Sequence, residues 1–200
     1  MSTATPRHSR YDVIVVGARC AGAATALLLA REGLRVLVVD RSRYGADTLS
    51  THALMRGAVV QLHQWGVLDA LEAAGTPVVR TTTFHYAEEE IRVPIKARGG
   101  IEGLYAPRRS VLDRAIVDQA RGAGAEIVFG VRLVNVVRLS DGPVEGVVIE
   151  DDDGRLRTVG AGLVVGADGL RSTVAGLVKA APYRTARHAT GNVFGLSLIH

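Results

Sequence analysis

The sequence predicts an α/β fold in which helices cover a mainly parallel sheet, and three observations predict it. Val13–Gly33 (VIVVGARCAGAATALLLAREG) reads as a strand, a glycine turn and a helix. Leu34–Val39 (LRVLVV) is a second, almost continuous apolar run, the pattern of a strand buried on both faces. Leu163–Val165 is a third such run, and it leads into Gly-Ala-Asp-Gly. A strand, a crossover helix of about 15 residues and a parallel strand make a right-handed βαβ unit.

The elements follow in order. Residues 1–10 are polar and are expected to fray, and Tyr11–Val16 is the first strand. Ala21–Arg31 is rich in Ala and Leu, strong helix formers, and Gly33 stands where a helix stops. Arg41–Ser50 reads as a loop. Ala53–Trp65 reads as a helix with Leu54, Ala58, Gln61, Leu62 and Trp65 near one face, closed by Gly66. A shorter helix over Leu68–Ala74 ends at Gly75. Val78–Tyr86 and Ile91–Ile95 are β-rich runs around Ala-Glu-Glu-Glu and predict a hairpin.

Ser110–Gly122 returns to helical spacing, with Leu112, Ala115, Ile116, Gln119 and Ala120 on one stripe. Glu126–Phe129 is expected to extend the parallel sheet. Val131–Leu139, Val144–Glu150 and Leu156–Val159 alternate around Asp-Gly turns, the mark of a three-stranded antiparallel meander. Leu163–Val165 is read as a separate strand, and Ser172–Lys179 as a short helix. The chain closes on Gly-Leu-Ser-Leu-Ile-His, a strand-like run with no evident partner.

Composition narrows the function classes. Hydrophobic residues make up 48% and charged residues 22%, an ordinary globular balance. The net charge of +4 comes from basic residues scattered along the chain, which argues against nucleic-acid binding. The single cysteine, Cys20, excludes an internal disulfide and suits a reducing compartment. Arg7 and Arg10 precede an apolar stretch, but Gly17, Arg19 and Gly22 interrupt it, so it is no signal peptide. No apolar run is long enough to span a membrane, and the expected location is cytoplasmic, without stable membrane insertion.

The opening motif carries chemistry through backbone geometry. A sharp turn at Gly17 aims a helix N-terminus, with its free N–H groups and dipole, at a phosphate. Gly22 permits close packing of helix on strand. Arg19 occupies the middle position of G-x-G-x-x-G, where the missing side chain normally lets the backbone approach a pyrophosphate. An arginine suits that position if its backbone is ordinary and its side chain points away or onto phosphate. Ala26, Leu29, Gly33, Val36 and Val38 keep the extended pattern in register, and Asp40 ends the second strand about 20 residues past the loop. An acid there accepts ribose hydroxyls and disfavours a 2′-phosphate, although Arg41 and Arg43 leave room for one. The second motif, LVVGADGLRSTVAG, places Asp168 and Gly169 just past a buried strand, where ligands of open parallel sheets bind. Asp-Gly by itself is an ordinary turn, and its pairing with the first motif shifts the reading to a cofactor site.

Together these motifs resemble the FAD-dependent monooxygenases of the aromatic-hydroxylase type and their relatives, the flavin halogenases and geranylgeranyl reductases. The resemblance covers Tyr11 to Gly176. It rests on the fingerprint ending in Asp40, the helix start PRRSVLD and the segment GADGLRSTV, with the meander in between. It implies a Rossmann-like FAD-binding domain over residues 1–76 and 98–180, and part of a β-rich substrate domain over residues 77–97 and 181–200. The pyrophosphate would lie on Gly17, Ala18, Arg19, Ala21 and Gly22, and the adenosine ribose at Asp40 beside Arg41. Arg109 would approach the flavin's ribityl and pyrophosphate, and Asp168 and Gly169 would contact FAD and help admit the nicotinamide cofactor. The implied chemistry is hydroxylation of a small organic substrate with O2, with NADH or NADPH as electron donor. Alkene reduction in isoprenoid lipids and nucleotide binding without catalysis are the alternatives.

Two departures stand out. Ala175 occupies the place where the family's Asp-Gly motif ends in arginine, and the family's downstream Gly-Asp motif is not present. The closing LSLIH resembles translated adapter sequence. The chain is therefore expected to be an N-terminal fragment of a larger flavoenzyme, holding half of the cofactor site. Cys20, at a helix N-terminus where a thiolate would be stabilised, has no resolving partner and reads as a small packing residue. Ser50 or Thr51 is expected to cap a helix, and His52 lies where the family's loop nears the flavin. His63 and His85 lack ligand-spaced companions, so no metal is assigned. Arg108 flanks the helix start, and Glu88–Glu90 and Asp151–Asp153 read as solvated turns.

Overall fold

The computed structural model describes residues 5–48, 53–140 and 142–185. In chain order the elements are β1 (Arg10–Val16), α1 (Cys20–Arg31), β2 (Val36–Asp40), α2 (Arg56–Gln64), α3 (Leu68–Ala73), β3 (Val78–Val79), β4 (Thr81–Tyr86) and β5 (Glu89–Pro94). They continue with β6 (Leu104–Tyr105), α4 (Arg109–Gly122), β7 (Glu126–Phe129), β8 (Val131–Arg138), β9 (Val144–Asp151), β10 (Leu156–Gly166) and α5 (Thr173–Leu177).

A six-stranded sheet in the order β7-β2-β1-β10-β9-β8 organises the chain. β1 runs parallel to β2, with Val13 opposite Val36 and Val16 opposite Val39, and β7 runs parallel on the far side of β2. Alternation along these strands splits the core in two. Val13, Val15, Val36 and Val38 pack under α1 and α4, while Ile14, Val16, Leu37 and Val39 pack against the meander strands. Both faces are buried, which is why the strands read as apolar runs rather than alternating ones. Each such side chain contributes about 1.5–3 kcal/mol relative to exposure.

The meander and the parallel sheet are one sheet, contrary to the separate strands expected over 156–159 and 163–165. β10 changes partner midway. Leu156–Gly160 pair antiparallel with β9, and Arg10 to Val16 pair parallel with Gly160 to Gly166. Glycines make the crossing: a Cβ on Gly146 would fall 2.4 Å from the Val159 carbonyl oxygen, so the strands approach there as only glycine allows. Among the described residues, no strand pairs with the outer edge of β10 beyond Gly160, and Leu163 stays exposed.

Other boundaries moved for identifiable reasons. β2 starts at Val36 rather than Leu34, because Gly33 (φ +81) and Leu34 close α1, donating to Ala30 O (3.0 Å) and Leu29 O (3.2 Å). α2 starts at Arg56 rather than Ala53, because Leu54 N–H donates to Tyr105 O at 2.6 Å. Its buried face is Val59 and Leu62, with Ala58 and Gln61 exposed. The expected strand Val78–Tyr86 is two: β3 pairs with β6, and β4 pairs with β5. The hairpin turn narrows to Ala87 and Glu88, so Glu89 and Glu90 belong to β5. α5 is shorter than expected, and Ser172 caps it by accepting from Ala175 N–H. The N-terminal segment is tied down from Arg7 onward: Arg7 N–H and the Tyr11 hydroxyl both donate to Glu126, at 2.8 and 2.7 Å. Asp151 is no simply solvated acid, since its Oδ1 accepts from the N–H groups of Asp153 and Arg155. Ser50, Thr51, His52 and residues 186–200 lie outside the described residues.

Candidate functional site

The chain turns at Gly17 because two backbones meet there. Gly17 has φ +105, and a Cβ on it would lie 2.4 Å from the Ala167 carbonyl oxygen. A Cβ on Gly22 would lie 1.7 Å from the Gly17 carbonyl oxygen, so α1 sits against the loop at a distance only glycine permits. Ala18 is buried, and its N–H donates to Asp40 Oδ2 at 2.6 Å, tying the loop to the end of β2. Asp40 Oδ1 accepts from Ser42 N–H (2.7 Å) and Ser42 Oγ (2.5 Å). A carboxylate has about four acceptor sites, so one remains for a further donor such as a ribose hydroxyl.

β1 and β10 are neighbours, and Ala167 N–H donates to Val16 O at 2.8 Å. The turn at Gly17 and the Ala167–Gly169 segment are thus side by side at the carboxyl ends of two parallel strands. From β1 the chain goes first to β2 and β7 on one side and later to β10 on the other. That reversal is the switch point at which open α/β sheets bind ligands. Gly169 has φ +87. Asp168 is engaged by its own neighbours: Oδ1 accepts from Ser172 Oγ (2.6 Å), and Oδ2 from the N–H groups of Thr173 (2.5 Å) and Val174 (3.2 Å). The Asp-Gly turn therefore caps α5 as well as flanking the loop.

Arg19 has an ordinary extended backbone (φ −83, ψ −172), so its position does not demand glycine conformationally. It stands at the N-terminus of α1 and makes no cap itself. The first intrahelical bond runs from Ala23 N–H to Arg19 O, which leaves the N–H groups of Cys20, Ala21 and Gly22 outside the helical ladder. Ala21 is exposed there. The Arg19 side chain turns toward α4, where Nη1 meets Asp113 Oδ2 at 3.1 Å. Arg109, the first residue of α4, meets the same carboxylate at 3.2 Å. Cys20 Sγ donates to Asp113 Oδ1 at 3.0 Å.

Asp113 is a buried charged residue at 7% exposure, on the face of α4 that packs against α1. Burial, and then the Asp113 carboxylate, push the Cys20 thiol up to about 12. These outweigh the helix N-terminus, so Cys20 is a neutral donor rather than a stabilised thiolate. Arg43, with Asp40, Ser42 and Arg19, lines a cleft that continues to Val117 and Phe129, whereas Arg41 is exposed outside that lining. Tyr44 packs edge-on to Phe129 with centroids 5.6 Å apart, and Arg121 lies over its ring at 4.9 Å. Arg108 precedes α4 with an extended backbone and is exposed. His63 and His85 are exposed, and His85 lies 3.8 Å from Glu90 across the β4–β5 hairpin.

The structure thus brings the Gly17 turn, Arg19, Asp40, Arg109 and the Asp168 segment together. The sequence reading missed Asp113. Its signal was present: an acid one turn after Arg109, inside the buried stripe Leu112, Ala115, Ile116 and Ala120. The close packing of Gly17, Gly22 and Ala167 sets the N-terminus of α1 at the strand ends, and its N–H groups outside the helical ladder fit a dinucleotide pyrophosphate.

Fold and loop define a dinucleotide-binding α/β protein. Residues 10–197 match the family model for the FAD binding domain, and the chain belongs to that family. It is 33% identical over 167 residues to menaquinone reductase of Mycolicibacterium smegmatis, covering 84% of this chain and 39% of that protein. It is 30% identical over 177 residues to digeranylgeranylglycerophospholipid reductase 2 of Methanopyrus kandleri, covering 84% of this chain and 40% of that protein. The solved structure of the flavin-dependent monooxygenase PieE with FAD and substrate is 27% identical, with a TM-score of 0.68 over 88% of this chain and 33% of that one. The chain spans about two fifths of the length of the curated relatives it matches. The expected resemblance to flavin monooxygenases and geranylgeranyl reductases is borne out at the level of the family. Among the described residues, no helix is long and apolar enough to cross a membrane.

Proposed function

We propose that residues 1–76 and 98–180 hold the FAD of a flavin-dependent monooxygenase, which takes electrons from NADH or NADPH and hydroxylates a small organic substrate with O2. One observation carries the reading: the Gly17 loop and the Asp168 turn lie side by side at the switch point of the sheet, with two arginines beside them. In this reading Gly17, Ala18, Ala21 and Gly22 line the pyrophosphate, and Arg109 neutralises it. Asp40 accepts from the adenosine ribose. Asp168 and Gly169 face the flavin half. When bound, FAD supplies the hydride and oxygen chemistry, and the protein positions it and excludes water. The hairpin β4–β5 and residues 181–200 belong to a substrate-facing domain.

A second reading, alkene reduction of an isoprenoid chain, is favoured by the names of two relatives, the menaquinone reductase at 33% identity and digeranylgeranylglycerophospholipid reductase 2 at 30%. The test uses the full-length enzyme with FAD and NADPH. A monooxygenase consumes O2 in step with an oxygenated product, whereas the reductase forms a saturated product under argon. Product formation that continues without O2 sinks the monooxygenase reading.

A further inference from the structure

The middle glycine of the fingerprint is replaced here by a side chain with a defined destination. Arg19 leaves the loop at the point of closest backbone approach to a pyrophosphate, and Asp113 draws its guanidinium sideways onto α4. Only Nη1 of Arg19 meets Asp113. A guanidinium has five N–H donors in a rigid fork, so the edge turned away from Asp113 is open to a second anion. Arg109 binds the same carboxylate through Nε and Nη2, leaving its Nη1. Two cations share one buried anion, so the cluster keeps a formal charge of +1 beside the N-terminus of α1. Arg19 also lines the cleft that contains Asp40.

We propose that Arg19 is a pyrophosphate-binding residue of this chain, that Asp113 is the positioning residue that holds it clear of the backbone path, and that together they replace the function of the missing glycine. The inference rests on the nucleotide site proposed above. It separates two meanings of an altered fingerprint. If arginine were only tolerated, restoring glycine would leave binding unchanged or improve it. If it binds phosphate, glycine removes a charge-assisted contact that the backbone alone does not replace.

Calorimetric titration of the chain with ADP, which needs only the adenosine and pyrophosphate contacts, decides between them. Adenosine serves as the phosphate-free control. Arg19→Ala and Arg19→Gly are expected to weaken ADP about tenfold while leaving adenosine unchanged, and Arg19→Lys is expected to lose less. Asp113→Asn is expected to weaken ADP in the parent chain and to weaken it less once Arg19 is already Ala, because Arg109 is then the one arginine left for Asp113 to hold. Where Asp113→Asn does not fold, as its circular dichroism would show, the three Arg19 variants decide alone. Equal or tighter ADP binding by Arg19→Gly overturns the proposal while the nucleotide site stands. Failure of the parent chain to bind ADP at all overturns the site and the proposal together.

Discussion

The β1–α1–β2 unit and the β4–β5 hairpin are both regular, and they stand at opposite ends of the burial scale. In the first, Ile14, Val15, Leu27, Leu37 and Val38 are fully enclosed. In the second, every residue of both strands is exposed. The hairpin still has two distinct faces. Thr82, Phe84 and Tyr86 lie opposite Val93, Ile91 and Glu89 on one side, while Thr83 and His85 lie opposite Arg92 and Glu90 on the other. Phe84 and Tyr86 stack with centroids 6.4 Å apart. Secondary structure and stability are therefore separate matters here. The nucleotide-binding unit is held by packing on both sheet faces, whereas the hairpin is held by its own ladder and cross-strand pairs.

Five measurements test that contrast, and the largest effect lies in the loop. Gly22→Val drives a side chain into the Gly17 carbonyl, and is expected to cost on the order of 4 kcal/mol or more, or to abolish folding. Urea denaturation with a midpoint near the parent's would show that the loop yields. Leu27→Ala, in the enclosed unit, is expected to cost roughly 2–5 kcal/mol in the same assay.

The third test is pH. Burial, and then the hydrogen bond to Glu126, push Tyr11 up to about 12. Its neutral form is therefore favoured by folding. The associated stability is complete below the unfolded value of about 10 and is lost as pH rises toward the folded one. Denaturation midpoints should fall between pH 9 and 11.5, and a Tyr11→Phe variant should flatten that fall. The smallest effect is expected in the hairpin, where Phe84→Ser should change stability by no more than about 0.5 kcal/mol. A loss comparable to that of Leu27→Ala would mean that the hairpin's apolar face is covered in solution.

Cys20 sharpens the same contrast at the level of one atom. Its thiol stays protonated at pH 8 because burial disfavours the thiolate and Asp113 Oδ1 accepts its hydrogen bond. Iodoacetamide should therefore modify the native chain about a hundredfold more slowly than the urea-unfolded one. Equal rates would mean that the Asp113 cluster does not close around Cys20.

The Gly17–Gly22 loop, α1 and Asp40 were legible in the sequence because they depend on local spacing: a turn residue, a helical stripe, an acid at a strand end. The whole Asp113 cluster was not. Arg109 is four residues from Asp113, but Arg19 is 94 residues away, and nothing local pairs them. The single strand β10 was hidden for a related reason. Gly160, Ala161 and Gly162 look like a break between two strands, and only the partners β9 and β1 decide that the chain runs straight through.

The parallel apolar strands, the helix stops and the register of the dinucleotide fingerprint are set by short-range sterics and periodicity and can be read from the chain alone. Tertiary structure alone decided that the altered position at Arg19 has an ordinary backbone and a buried carboxylate for its side chain. It also decided that the Asp168 turn stands against the Gly17 loop. Those outcomes require α4 to pack on α1 and β10 to pair with β1, contacts whose free energy comes from burying surfaces far apart along the chain.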